Sequence, residues 1–94
     1  MKSSNVLVQI PQALRGFAGG SGELRVAAAT VGGVIEELRR THAELVNHVC
    51  ARDGRLRPFV NLYLGSDNVR DLEGMDTRLR DGDVLTILPS VAGG

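Results

Sequence analysis

The chain has 94 residues, of which 43% are hydrophobic and 23% are charged, proportions that are ordinary for a globular domain. This length suffices for one domain that buries about 60 to 65% of its unfolded surface, and it leaves no room for a second. Eleven Lys and Arg balance eleven Asp and Glu, so no sequence-wide basic field is available to bind nucleic acid. The apolar runs are too short to cross a bilayer, and the N-terminal residues 1–5 lack the hydrophobic core of a signal peptide. We therefore expect a cytoplasmic protein without nucleic-acid or membrane partners.

The first part of the chain predicts a β-hairpin. Val6, Val8 and Ile10 recur at period two and share one face, and Pro11 stops the pattern. Residues 15–22 contain four glycines and predict a turn into a second strand over residues 23–27. The apolar residues at period two are Val6, Val8, Ile10, Leu24 and Val26.

A helix of about three turns is predicted to begin at the N-cap Thr30 and to end at Thr41. Its apolar residues recur at helical spacing, with acidic residues early and basic residues late, as the helix dipole favours. Gly32 and Gly33 in the first turn each cost about 1 kcal/mol relative to Ala. Close packing of that turn on the sheet would explain them. A weaker helical pattern continues to Cys50.

Cys50 is the single cysteine, so it forms no internal disulfide, which fits a reducing compartment. No neighbouring motif activates it, and we interpret it as a small buried thiol rather than as a nucleophile or sulfur donor. His42 and His48 are six residues apart, which does not place them on one helical face as a zinc pair. We predict no metal site.

The second half of the chain predicts a loop, two strands and a possible short extra one. The loop, residues 52–58, carries three arginines, which we interpret as solvated rather than as an anion site. Residues 59–64 have strong β character, and Val69 with Arg70 suggests the short extra strand after a turn. Period two places Phe59 and Tyr63 on one face, either as half-covered packing or as part of a partner-binding surface.

The remaining residues complete the predicted core. Residues 72–79 are irregular and offer Met75 and Leu79 to the core. A tight turn at residues 80–83 leads into the last strand, residues 84–88, and Pro89 ends it.

The order β-β-α-β-β, with an apolar helix stripe that must cover the sheet, predicts an α+β fold of the β-grasp type. The first and last strands would be central, parallel neighbours joined through the helical crossover. We assign residues 1–89 to this domain. We expect residues 90–94 to form a flexible tail that would reach about 17 Å if extended.

The tail ends in Gly93-Gly94, two residues without side chains. Glycine adopts φ of either sign, so such an end fits a narrow channel that would reject larger residues. Because the rest of the domain offers no other chemistry, we predict that the terminal carboxylate of Gly94 is the group that reacts.

Three features of the chain are informative together: Asn61 within residues 59–63, the turn Asp81-Gly82-Asp83, and above all residues 88–94, Leu-Pro-Ser-Val-Ala-Gly-Gly. They resemble the ubiquitin-like sulfur carrier proteins of the MoaD/ThiS family, and the resemblance runs from the first strand to the tail. The CysO-type branch fits best, through Val6-x-Val8-x-Ile10-Pro11, Leu14-Arg15, Gly19-Gly20 and the Val-Ala-Gly-Gly end.

The resemblance implies a carrier that is a co-substrate of partner enzymes and not itself an enzyme. A ubiquitin-activating-type adenylyltransferase/sulfurtransferase would adenylate Gly94 with ATP, and a sulfur donor would then leave a thiocarboxylate there. A synthase would accept the sulfur for cysteine, thiosugar, thiamin or molybdopterin. The carrier itself would bind no cofactor or metal and would be a monomer when alone.

The predicted partner-binding residues lie at the tail and beside it. Leu88 should point outward if Leu85 and Ile87 point into the core, and an exposed apolar residue beside a reactive tail suggests an anchor. The small residues Val91, Ala92 and Gly93 should bind inside the partner's channel, where a charged residue would be desolvated at a cost. Phe59 and Tyr63 are further candidates.

Two alternatives use the same tail. One is a ubiquitin-like modifier that is conjugated to lysines of target proteins, and the other is the small subunit of a stable molybdopterin synthase complex. A β-grasp ferredoxin is excluded, since one cysteine does not ligate an iron–sulfur cluster.

Overall fold

The structure is a computed structural model, and it describes residues 3–89. Within this range the chain forms five strands, two α-helices and three 3₁₀ helices. The strands are β1 (Ser4–Gln9), β2 (Glu23–Ala28), β3 (Val60–Leu64), β4 (Asp67–Asn68) and β5 (Val84–Pro89). The helices are α1 (Val31–Thr41) and α2 (Ala43–Val49), and the 3₁₀ helices are Gln12–Ala18, Val69–Asp71 and Gly74–Asp76.

The five strands form one mixed sheet in the order β2-β1-β5-β3-β4. β1 and β5 are parallel, with Leu7 opposite Val84, whereas the other pairs are antiparallel. The first and last strands are therefore the central neighbours that the sequence predicts, and the α+β β-grasp fold is confirmed.

The core lies between one face of this sheet and the two α-helices. Strand alternation and helical spacing both direct apolar residues there, and full burial of each Val, Leu or Ile stabilises the fold by about 1.5 to 3 kcal/mol. The largest buried side chains are Val8, Ile10, Leu62, Leu85 and Ile87 from the sheet and its edge, Val31 and Val34 from α1, Leu45, Val46 and Val49 from α2, and Val69. Leu79 is buried and Met75 packs against this cluster, as predicted.

The start of α1 explains its two glycines. The Thr30 hydroxyl accepts a hydrogen bond from the Gly33 N–H at 3.1 Å, which confirms the predicted N-cap. A Cβ added at Gly33 would lie 3.2 Å from the Cβ of Ala28 at the end of β2, and one added at Gly32 would lie 3.2 Å from the Met75 carbonyl. Close packing on the sheet, and on the segment around Met75, therefore leaves little room for a Cβ at either position.

The segment after β1 differs from its prediction. Residues 12–18 form a 3₁₀ helix, whereas the sequence predicts a turn over residues 15–22. Leu14 and Ala18 are buried, so two apolar contacts hold the segment against the core. Gly19 ends this helix with φ +66°, a conformation in the left-handed region that suits glycine.

The prediction of a short extra strand at Val69 and Arg70 is wrong in its position. The strand is β4, two residues earlier, and Val69–Asp71 is a 3₁₀ turn that buries Val69. The Asn68 side chain accepts from the Arg70 N–H at 2.9 Å, and this local bond competes with strand pairing.

The strand boundaries also differ from the predicted ones by one or two residues. β1 begins at Ser4 and ends at Gln9 instead of spanning residues 6–10, and β2 continues to Ala28. β3 begins at Val60, so Phe59 precedes it, and β5 includes Pro89, which lies opposite Val60. Proline is tolerated at the end of a strand because only one ladder donor is lost there.

Neither helix in the described part of the chain combines the length and apolar character needed to span a bilayer.

Candidate functional site

The candidate site is built around the end of β5, from which the predicted tail departs. β5 lies between β1 and β3, so it is paired on both sides. The tail residues Val91, Ala92, Gly93 and Gly94 lie outside the described residues, and their predicted roles stay predictions.

The backbone of β5 alternates between its two neighbours. The Asp83 carbonyl accepts from the Leu7 N–H of β1 at 2.9 Å, and the next carbonyl, Val84, accepts from the Gly65 N–H beyond β3 at 3.1 Å. Because successive backbone groups of a strand point to opposite sides, the Ile87 carbonyl points toward β1.

Two prolines end the pairing of β1 with β5. Gln9 opposite Thr86 is the last matched pair. The next β1 residue to face β5 is Pro11, which has no N–H to donate to the Ile87 carbonyl. In return, Pro89 has no N–H to donate to β1. The two strands therefore separate before β5 ends, and Pro11 turns the chain into the 3₁₀ helix.

The separation opens a groove of about 750 Å³ beside the end of β5. Both strands and the 3₁₀ helix contribute to its walls. The lining residues that bear on function are Gln9, Pro11, Arg15, Gly22, Thr86 and Leu88.

Leu88 points outward into solvent. It is 45% exposed, whereas Leu85 and Ile87 are each 1% exposed. The predicted orientation of β5 is therefore confirmed, and Leu88 is an exposed apolar residue beside the groove.

The structure brings Tyr63 to the same outer face of the sheet. Asn61 lies opposite Leu88 and Tyr63 opposite Thr86, and residues opposite each other in adjacent strands share a face. Tyr63 is half-buried.

Phe59 is exposed at 55% and lies just before β3, near the end of β5, since the adjacent Val60 pairs with Pro89. Its turn is braced by the Arg70 guanidinium, which donates to the carbonyls of Arg57 at 3.0 Å and Val60 at 2.7 Å. These bonds present Phe59 on a fixed turn rather than on a free loop.

Sequence reasoning missed two apolar residues of the outer face. Leu7 and Val84 lie opposite each other in β1 and β5 and are half-buried. The signal was available, because Leu7 stands between the inward-facing Val6 and Val8 and must point the other way. We define the outer apolar strip as Leu7, Tyr63, Val84 and Leu88.

Cys50 lies at the end of α2 and is only 3% exposed. Burial raises the pKa of its thiol, so the thiol stays protonated at neutral pH and is a poor nucleophile. The interpretation of Cys50 as a small buried thiol is confirmed.

Alkylation of Cys50 by iodoacetamide at mildly alkaline pH should be at least about 10-fold slower in the folded protein than in urea, because the thiol is both shielded and protonated. Because the pKa is raised on folding, the neutral thiol stabilises the fold at pH values below the pKa of the unfolded thiol. This contribution is lost as the pH rises through the pKa of the folded thiol. Equal alkylation rates in both states would show that Cys50 is accessible.

The two histidines have local partners. His48 stacks on Phe17 with ring centroids 4.0 Å apart, and its Nδ1 lies 2.9 Å from the Glu44 carbonyl, to which it must donate. His42 Nδ1 lies 2.9 Å from the Thr41 hydroxyl. Both histidines are therefore satisfied by neighbouring groups. Over residues 3–89 no group of three or more His, Cys, Asp or Glu side chains is placed to hold a metal.

Residues 8–94 of the chain match the family described as the ThiS family. The chain belongs to the ThiS family. Its similarity to individual members extends over nearly the whole sequence. It is 38% identical over 92 residues to the sulfur carrier protein CysO of Mycobacterium tuberculosis (strain H37Rv), a comparison that covers 96% of this chain and 99% of that protein.

A solved structure shares the fold of this chain, and another relative by sequence is named as a modifier protein. A chain of the crystal structure of the Amycolatopsis orientalis BexX/CysO complex superimposes with a TM-score of 0.86 at 37% identity, covering 95% of this chain and 99% of that one. The small archaeal modifier protein 3 of Haloferax volcanii is 39% identical over 66 residues, which cover 70% of this chain and 71% of that protein. The family and branch that the motifs suggest are thereby confirmed.

Proposed function

We propose that this ThiS-family chain is a sulfur carrier whose Gly94 carboxylate is adenylated by a ubiquitin-activating-type enzyme and then converted to a thiocarboxylate. The observation that carries the proposal is the similarity to a sulfur carrier protein along 96% of the chain. The family match itself extends through Gly93 and Gly94. The chemistry requires that Gly94 bear a free carboxylate, whether encoded at this position or exposed by proteolysis.

The proposed reaction follows from the properties of a carboxylate. A carboxylate is a poor electrophile, and attack of its oxygen on the α-phosphate of ATP releases pyrophosphate and gives an acyl adenylate. Hydrosulfide then forms a bond to the carbonyl carbon, AMP leaves with the electrons of the broken C–O bond, and loss of the S–H proton gives the thiocarboxylate. The partner supplies nucleotide binding and charge stabilisation. This chain supplies positioning, so it is a co-substrate and needs no cofactor of its own.

The fold supports such a role by placing apolar surface beside the root of the tail. The outer apolar strip ends at Leu88, one residue before the end of β5, and Phe59 is exposed at the same end of the sheet. Docking of the activating enzyme on this surface would bring Val91, Ala92 and Gly93 into its channel. The relative crystallised as a BexX/CysO complex is a precedent for assembly with a partner protein.

Intact mass spectrometry tests the proposal. Protein co-expressed with an activating enzyme and supplied with sulfide should gain the mass expected for exchange of one oxygen for one sulfur, located in the peptide that contains Gly94. Protein co-expressed with an activating enzyme that does not bind ATP is the control. No gain with activating enzymes of any of the candidate pathways, cysteine, thiosugar, thiamin or molybdopterin, would contradict it.

A second candidate function is favoured by the likeness to a small archaeal modifier protein. The same activated Gly94 could be transferred to lysines of other proteins. The chain itself contains one lysine, Lys2, so a polymer joined through its own side-chain amines would have to use Lys2. Conjugates of higher mass that depend on Gly94 would favour this function over sulfur transfer to a small molecule.

A further inference from the structure

Arg15 is held at the edge of the groove beside β5. It lies on the 3₁₀ helix Gln12–Ala18, and its Nε donates to the Ile10 carbonyl at 3.1 Å. Its own carbonyl accepts from the Gly20 N–H at 2.8 Å. Both the backbone and the base of the guanidinium group are therefore fixed.

Gly22 provides the space that the guanidinium group occupies. A Cβ added at Gly22 would lie 3.0 Å from Cζ and 3.1 Å from Nη2 of Arg15. The Gly22 carbonyl accepts from the Ile10 N–H at 2.8 Å, so the backbone beneath the arginine is also fixed. The planar group rests on a glycine, and a Cβ there would push it aside by a few tenths of an ångström.

Most hydrogen-bond donors of Arg15 have no acceptor among residues 3–89. A guanidinium group has five N–H donors, and the Ile10 carbonyl uses the one at Nε. Three ion pairs occur in the described part of the chain, and they involve other arginines. Glu23 lines the same groove but is not within ion-pair distance of Arg15.

We infer that Arg15 is a docking residue that receives a carboxylate side chain of the activating enzyme, an inference that rests on the proposed function. Arginine presents a planar fork that matches a carboxylate bidentately, and a fork already fixed loses little further freedom on binding. Arg15 shares its groove with Leu88, so the ion pair would lie beside an apolar anchor. The phosphate of the adenylate is a less suitable ligand, because five residues that were fully extended would carry the carboxylate about 17 Å beyond β5.

The test measures KM and kcat for the carrier in ATP–pyrophosphate exchange by an activating enzyme that adenylates the wild-type chain. Arg15→Glu should raise KM about 10-fold at low ionic strength, with a smaller effect at high salt and kcat unchanged. Gly22→Ala should raise KM about 3-fold although the charge is kept, because the new Cβ displaces the guanidinium group. The melting temperature of each variant checks that it folds.

Arg78→Glu is the matched control. It makes the same change in net charge, but Arg78 lies at the other end of the sheet, next to the Leu79 carbonyl that the Ser4 hydroxyl contacts. Its KM should stay within about 2-fold of the wild type. Equal effects of Arg15→Glu and Arg78→Glu would overturn the inference, as would a wild-type KM for Gly22→Ala. If Leu88→Glu raises KM and Arg15→Glu does not, the proposed function stands and the docking role of Arg15 is overturned. If no activating enzyme adenylates the wild-type chain, the proposed function and the inference on Arg15 are both overturned.

Discussion

A chain that lacks Gly94 should fold like the wild type and should not be adenylated. The carboxylate would then belong to Gly93, about 3.5 Å short of its place in the partner's active site. Misplacement by even 1 Å can cost about 100-fold in rate, so exchange of pyrophosphate into ATP should fall by at least that factor. The fold should not change, because the buried core lies between Val6 and Ile87. Pyrophosphate exchange and thermal unfolding measure the two effects separately.

Substitution of Gly93 separates steric fit from chain length. Gly93→Phe keeps the carboxylate on Gly94 but places a large side chain where the channel is expected to be narrow, and it should abolish activation as fully as the deletion. Gly93→Ala is the graded control and should retain more activity. Adenylation of the deletion or of Gly93→Phe at the normal rate would show that the tail is not the reacting group.

Leu88→Glu should weaken docking strongly and leave the fold intact. Leu88 is 45% exposed, so an acidic side chain there faces water in the free protein. In the complex it would bury a charge in an apolar contact, and loss of an anchor typically costs about 2 kcal/mol or more, which is about 30-fold in affinity. Titration of the carrier against the activating enzyme should show this loss. The free energy of unfolding in urea should change by no more than about 0.5 kcal/mol.

Ile87→Ala is the matched control for Leu88→Glu, because the two residues are adjacent in β5 and point to opposite faces. Ile87 is 1% exposed, and its truncation should lower the free energy of unfolding by about 2 to 5 kcal/mol. The Ile87→Ala molecules that remain folded should still bind the activating enzyme. A large loss of stability in Leu88→Glu would instead make Leu88 a packing residue.

The fold could be predicted because its signals are local. The alternation of Val6, Val8 and Ile10 selects one face of β1, and the cap at Thr30 selects the start of α1. The outward direction of Leu88 follows from the alternation in β5 in the same way. Each signal lies within a few residues of the structure that it specifies.

The groove could not be predicted because it depends on register between distant segments. Pro11 and Pro89 are 78 positions apart, and only the pairing of Gln9 with Thr86 shows that they terminate the same ladder. The place of Arg15 likewise depends on Gly22, which reaches it through the pairing of β1 with β2. The 3₁₀ helix that carries Arg15 could not be predicted for a related reason. Burial of Leu14 and Ala18, which is a tertiary effect, outweighs the turn signal of the glycines.

The position of β5 has a mechanical consequence. A partner that draws the tail into a channel pulls along β5, and the bonds to β1 and β3 resist this pull together, in shear. Three residue pairs join β5 to β1 and five join it to β3. A tail attached to an edge strand would instead peel away from a single neighbour, one bond after another. A partner that grips the end of the chain would therefore not unravel the sheet from that end.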